Sequence, residues 1–165
     1  MRHLPKILIL LIPIFTTSCK YSFTGGSLPP HLKDVFVAQV EDNSGYGNPI
    51  YRNELNEELV DAIRRDNTLN VVEGNADCRL QVFMTGITDQ TISVSTGQIE
   101  NERRISLSVK AIFTDNVEQK EMWTKTFTKS MNYEIDNSQE NRDEAMSRVI
   151  DQLSDDIMLA VVSGW

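Results

Sequence analysis

The stretch Glu102–Thr114, ERRISLSVKAIFT, gives the cleanest alternation of apolar and polar residues in the chain. Ile105, Leu107, Val109, Ala111 and Phe113 fall on one side, and Arg104, Ser106, Ser108 and Lys110 on the other. Successive side chains point to opposite faces only in an extended strand, so the pattern dictates a strand with one buried and one wet face. One-sided burial is a property of antiparallel sheets; strands of parallel sheets read as continuous apolar runs. A second alternating stretch, Met122–Tyr133, follows a short connection at Asp115–Gln119, and together the two predict a hairpin.

The remaining segments fit around that hairpin. Asp77–Ser95 alternates through Leu80, Val82 and Met84, with Gly86 as a candidate bulge and Ser95–Asn101 as a loop. Asp34–Val40 predicts a first strand, and Leu69–Val72 a short one before a Gly74-Asn75 turn. Between them Leu55, Leu59, Ala62 and Ile63 recur at helical spacing. Glu54, Glu57 and Glu58 stand toward the start of that helix and Arg64 and Arg65 at its end, the order its dipole favours. A second helix is predicted over Gln139–Val162, with an apolar stripe from Met146 to Val161 and Asn137 or Ser138 as N-cap. The expected fold class is α+β: a two-layer sandwich of one mostly antiparallel sheet, of roughly four to five strands, with two helices on one face.

The first residues are of another kind. Arg2, His3 and Lys6 precede a nine-residue apolar run, Ile7–Phe15, interrupted by Pro13. It is far shorter than the ~20 residues a spanning helix needs and has the form of a secretory signal. Thr16, Thr17 and Ser18 then lead to Cys19. Small residues before a cysteine resemble the bacterial lipobox, with Thr16 where leucine is usual. Cys19 is therefore the expected lipidation site and first mature residue, with an ordinary signal cut nearby as the competing reading. Lys20 stands where an inner-membrane retention signal would place aspartate, so the outer membrane is the expected location. The expected organisation is a signal peptide over 1–18, a lipid-anchored linker over 19–32 punctuated by Gly25-Gly26 and Pro29-Pro30, and an α/β domain over 33–165. With Cys19 acylated, Cys78 has no intrachain partner and is expected to be a buried small hydrophobe.

Charge narrows the function. The net charge of −8 becomes −10 once Arg2 and Lys6 leave with the signal. Such a chain lacks the basic face that phosphate neutralisation requires, so nucleic acid is not an expected partner. His31 has no second histidine or cysteine at ligand spacing, and neither a metal nor an acid–base role is expected of it. There is no phosphate-cradling glycine loop and no nucleophile elbow, the helix carboxylates read as solvated faces, and no cofactor is expected. A non-enzymatic role follows as the expectation.

Two groups of residues are candidates for binding an anionic lipid. The strand Met122–Tyr133 sets Trp123, Lys125, Phe127, Lys129 and Met131 on one face. Those rings could lie against acyl chains and the lysines against phosphate; alternatively the rings are core and the lysine stems cover it. The second group is Arg103, Arg104 and Lys110, which also reads as a plain basic surface patch.

Cys19, the Tyr21–Phe23 segment, Gly25, Pro29-Pro30-His31 and Lys33 resemble the opening of the lipopolysaccharide-assembly lipoprotein family, LptE. The order strand, helix, antiparallel meander, helix is also that family's, although the first strand ends in VAQVEDNSG where a Pro-x-Phe-like segment is usual. The resemblance implies a lipoprotein that pairs with the large outer-membrane barrel LptD, sits largely in its lumen and helps insert lipopolysaccharide into the outer leaflet. It implies lipidation at Cys19 and transfers no lipopolysaccharide contact by motif. Two other readings stay open: a freestanding periplasmic lipoprotein that holds a lipid or glycan between sheet and helices, and a hydrolase of envelope polymers.

Overall fold

The computed structural model of the chain describes residues 28–92 and 102–163. The signal, Cys19 and the Gly25-Gly26 pair lie outside the described residues. The elements are β1 (Asp34–Val37), β2 (Glu41–Asp42), α1 (Pro49–Asp66), β3 (Asn70–Val71), β4 (Cys78–Thr91), β5 (Glu102–Asp115), β6 (Lys120–Glu134) and α2 (Ser138–Ser163). They form one sheet in the order β3-β1-β4-β5-β6, with β2 added beside β4. The α+β sandwich is the expected one. The sheet is mixed: β4, β5 and β6 pair antiparallel, while β1 runs parallel to β3 and β4, and β2 parallel to β4. A parallel neighbour needs a crossover, and α1 supplies it between β1 and β3.

The expected first strand, Asp34–Val40, breaks into two pieces. Val37 stands opposite Leu80 and Glu41 opposite Phe83, so the chain takes four steps where β4 takes three. One extra residue is a bulge. The Val40 N–H goes to Asn56 Oδ1 on α1, at 3.2 Å, instead of to the sheet. Gly86 does mark a register shift in β4, as its place in the sequence predicts.

The strand alternation becomes burial directly. Ile105, Leu107, Val109, Ala111 and Phe113 on β5, with Leu80, Val82 and Met84 on β4, are all essentially inaccessible. Leu55, Leu59 and Ile63 of α1 and Met146, Val149, Ile150, Leu153 and Ile157 of α2 meet them to close a single core. Fully burying such a side chain contributes about 1.5–3 kcal/mol. Asn48 caps α1, its Oδ1 accepting the Ile50 N–H at 3.0 Å, and Pro49 follows at the first helical position. Asn67 ends the helix in the left-handed region at φ 60. The early glutamates lie beyond the first turn, which holds no acid, so the start of α1 is set by its cap; Arg64 and Arg65 do occupy the last turn. Tyr51 bonds Asp143 at 2.6 Å near one end of the helix pair and Arg65 meets Asp155 at 3.5 Å toward the other. The two helices therefore run side by side in one direction, with both C-termini at the end of the sheet that carries the β5–β6 turn.

Candidate functional site

Among the described residues only one face of the sheet is covered. Its inner face meets α1 and α2; the outer face belongs to the second half of each alternation. On β5 that half is Arg104, Ser106, Ser108, Lys110, Ile112 and Thr114. Thr124, Thr126, Thr128, Ser130 and Asn132 stand opposite on β6 and are exposed. Arg79, Gln81, Phe83 and Thr88 continue the face on β4, and Phe36 on β1 pairs with Arg79. Hydroxyls and amides line it: Ser108 and Thr128 bond at 2.9 Å, and Arg104 Nε donates to Asn132 Oδ1 at 2.8 Å. Toward the β5–β6 turn the same face turns apolar and cationic. The Arg79 guanidinium lies 5.4 Å from the Phe36 ring centre, and Lys110 sits directly opposite Phe83. The carboxylates stand at the rim, with Glu102 opposite Glu134 at one end, Glu121 at the other and Glu41 on the β2 edge.

The helix layer has the opposite charge. Five carboxylates and three arginines fall on α1, six and two on α2, a surplus of six negative charges out of a net −8. The acidity of the whole chain is thus a property of its helices, and the interior of the open sheet face carries Arg79, Arg104 and Lys110.

The predicted basic residues are divided by this geometry. Arg104 and Lys110 share the open face, six residues apart and so about 20 Å along the strand. Arg103 points to the other side, where its Nε donates to Asp89 Oδ1 at 2.9 Å and its guanidinium also reaches the Asp89 carbonyl at 3.1 Å. Tyr133 donates to the same carboxylate; burial, then that bond, push its phenol up to about 12. Lys125 lies 5.3 Å from the Trp123 ring centre and Lys129 pairs with Asp156 of α2 at 2.8 Å. The aromatic face of β6 is the inner one: Trp123 is 8% exposed and packs on Phe113, and Phe127 meets Trp123 edge-on. The core reading of these rings holds. A second combination of aromatic rings and cations stands on the opposite face, in Phe36, Phe83, Arg79 and Lys110. Arg79 and Phe83 were legible as one face of an alternating strand, but no pattern within β4 says that this face stays uncovered.

Core side chains pack the middle of the space between sheet and helices. Two clefts open at the edges. One of about 540 Å³ lies where β1 gives way to β2, lined by Phe36, Gln39, Glu41, Arg52 and Arg79. The other, about 430 Å³, lies between β6 and the first half of α2, lined by Met131, Tyr133, Asn141, Glu144 and Arg148.

His31 is not isolated as the sequence implied. Its Nε2 lies 2.6 Å from Asp115 Oδ2, and Glu118 completes a group whose ligating atoms lie within 4.8 Å of one another. At 2.6 Å the His31–Asp115 contact is a hydrogen bond, and it latches the approach to β1 onto the end of β5. Asp115 is fully buried. Burial opposes its charge, yet the Glu118 N–H, the imidazole and the Val117 N–H hold its carboxyl below the ordinary range. Nearby, Asp77 Oδ2 accepts the N–H groups of Lys33 and Asp34 at 2.9 and 3.1 Å, and Leu32 is buried. The residues that lead into β1 are thereby fastened to the turn end of the sheet. Cys78 is buried as expected, its thiol pushed up to about 12 by burial and then by Asp77, Asp115 and Asp34. Among the described residues no helix is long and apolar enough to cross a membrane.

No curated protein sequence matches the chain. Among solved structures it is similar to a Xanthomonas campestris protein of the DUF330 family, at 13% identity and TM-score 0.58 over 84% of this chain and 91% of that one. The dodecameric protein PelC of Paraburkholderia phytofirmans gives 12% identity and TM-score 0.57, over 82% and 93%. A minor lipoprotein of Acinetobacter baumannii gives 17% and 0.50, over 80% and 92%. At these identities the likeness is one of fold. The model of the lipopolysaccharide-assembly family LptE matches residues 32–161, all but the ends of the described domain. The chain belongs to the LptE lipopolysaccharide-assembly family.

Proposed function

We propose that this LptE-family chain is an outer-membrane lipoprotein, anchored through acylated Cys19, that plugs and partners a large β-barrel of the LptD type and assists insertion of lipopolysaccharide into the outer leaflet. Its role is binding and structural rather than catalytic. The observation that carries the reading is the separation of charge between the two layers. An anionic glycolipid needs cations that are not already neutralised, hydroxyl and amide partners for sugars, and some apolar surface. The open sheet face offers Arg104, Lys110 and Arg79, the Ser106–Thr128 hydroxyl field, and Phe36, Phe83 and Ile112. Guanidinium groups bind phosphate and carboxylate with paired, charge-assisted hydrogen bonds. Arg103, Lys125 and Lys129 hold Asp89, the Trp123 ring and Asp156 and serve the fold first. The hydroxyl- and amide-rich sheet face and the charged helix layer suit a domain enclosed in a polar barrel lumen, with an interface of about 2,000 Å² or more, as in permanent complexes.

The test is purification of the tagged full-length lipoprotein from native envelopes in mild detergent, with mass spectrometry of the co-eluting chains and of the mature N-terminus. A large barrel in near-equal amount and a triacylated Cys19 are expected. A lone lipidated chain would remove the barrel partnership and leave only the anchor.

A further inference from the structure

Asp115 is a fully buried carboxylate, and among the described residues no lysine or arginine pairs with it. Its Oδ1 accepts the Val117 and Glu118 N–H groups at 2.8 and 2.9 Å. That leaves Oδ2 aimed at His31 Nε2, 2.6 Å away. The Glu118 side chain hangs from the same turn, and a carboxylate oxygen of it lies within 4.8 Å of both atoms. A buried anion is costly unless a cation meets it. A protonated imidazole would balance Asp115 alone. A second carboxylate at the same point repels the first, and a doubly charged cation between the two removes that repulsion.

Both sides of the cluster are held in place. The Leu32 N–H donates to the Pro29 carbonyl at 3.0 Å, closing a turn with Pro30 and His31 at its centre, and Leu32 is buried. Proline at the first central position presets such a turn. The Lys33 and Asp34 N–H groups on Asp77 then carry it onto the sheet. Across from it, the Asn116 N–H reaches the Asp77 carbonyl at 2.8 Å and its Nδ2 the Ala76 carbonyl at 2.9 Å. The β5–β6 turn is thereby tied to the same loop. His31 and Asp115 are 84 residues apart in sequence and are presented to each other by two pinned turns.

We propose that His31 Nε2, Asp115 Oδ2 and a Glu118 carboxylate oxygen bind a divalent ion of the zinc type. One imidazole with two carboxylates suits such an ion, whereas magnesium and calcium prefer oxygen alone. The ion takes the place of the proton between Nε2 and Oδ2, and the ring keeps a proton on Nδ1. Bond lengths of about 2.0–2.2 Å require the imidazole to back away from Asp115 and Glu118 to swing in. His31 is half-exposed and Glu118 exposed, so both can move while Asp115 stays fixed. Solvent reaches both and completes the shell. The bound ion cross-links the segment ahead of β1 to the β5–β6 turn, making the latch stronger. The inference rests on neither the barrel nor the lipopolysaccharide reading.

The test uses the full lipoprotein in detergent, purified without a histidine tag and stripped with a chelator. Titration calorimetry with zinc is expected to show one site, and the thermal midpoint is expected to rise with zinc concentration. Magnesium and calcium at the same concentrations are expected to leave the midpoint unchanged. His31→Gln keeps an N–H donor for Asp115 but loses the imidazole, and Glu118→Gln alters an exposed side chain only. Each is expected to fold as the native protein does and to bind zinc about tenfold or more weakly. Native affinity in both variants would overturn the proposal by assigning the ion to other surface carboxylates. Equal stabilisation by magnesium or calcium would overturn it as unselective screening of acids. No zinc response in the folded native protein would also overturn it and leave the hydrogen bond as the whole latch.

Discussion

Leu107 and Ser108 are neighbours in the chain and live in different worlds. Leu107 is sealed between β4, β6 and the helices, while Ser108 stands on the open face and bonds Thr128. The same contrast repeats along the whole hairpin, and it separates what holds this molecule together from what it can offer a ligand. The covered face is largely apolar, and its ion pairs tie polar groups to the fold, as Arg103 is tied to Asp89. The open face is mixed, hydroxyl-rich and cationic in a chain whose net charge is −8. On the proposed reading, stability lives on one face and recognition on the other, and substitutions should reveal that division.

The largest effect is expected for Leu107→Ala, which opens a cavity in the middle of β5 and should cost about 2–5 kcal/mol in denaturant unfolding. Ser108→Ala beside it should stay within about 0.5 kcal/mol. Comparable losses at both positions would break the division. Next comes the latch. Asp115→Ala leaves two backbone N–H groups and His31 without their acceptor and should cost about 1–3 kcal/mol. Because the folded carboxyl is held below its unfolded value, this contribution is complete above about pH 4 and is lost as pH falls through the lower folded value. A stability difference between native and variant that shrinks toward acid is the expected readout.

A smaller effect is expected at the helix pair. Tyr51→Phe removes the hydroxyl bonded to Asp143 and should cost about 1–2 kcal/mol, read as an earlier thermal transition. The smallest change in stability belongs to the open face. Arg104→Glu with Lys110→Glu should shift unfolding by no more than about 0.5 kcal/mol per site. The same pair should weaken capture of lipopolysaccharide about tenfold or more, because it reverses the charge of the face. Lys129→Ala should cost about 0–1 kcal/mol, as an exposed ion pair does, and leave capture unchanged.

Much of this architecture was legible because period and burial coincide. Ile105 to Phe113 announced both the strand and the side that is buried, and Leu55 to Ile63 announced the face of α1. The bulge at Gly86 was readable since a glycine inside an alternating run has few other reasons to be there. The division of β1 from β2 was not, because it turns on the Val40 N–H choosing Asn56, a contact between distant parts of the chain. The latch was hidden for the same reason: His31 and Asp115 are 84 residues apart. The basic residues were read as two patches when burial assigns them by parity, with Arg104 and Lys110 outward and Arg103 inward. Alternation tells which residues share a face; it does not tell which face the helices choose to leave open.

The most direct test of the open face is photocrosslinking in native envelopes, with a photoreactive phenylalanine in place of Ser106 or Thr128 on the sheet, and of Glu57 or Asp151 on the helices. Lipopolysaccharide adducts at Ser106 and Thr128, and none at Glu57 or Asp151, are the result this account predicts. Adducts confined to the helix positions, or equal at all four, would contradict it.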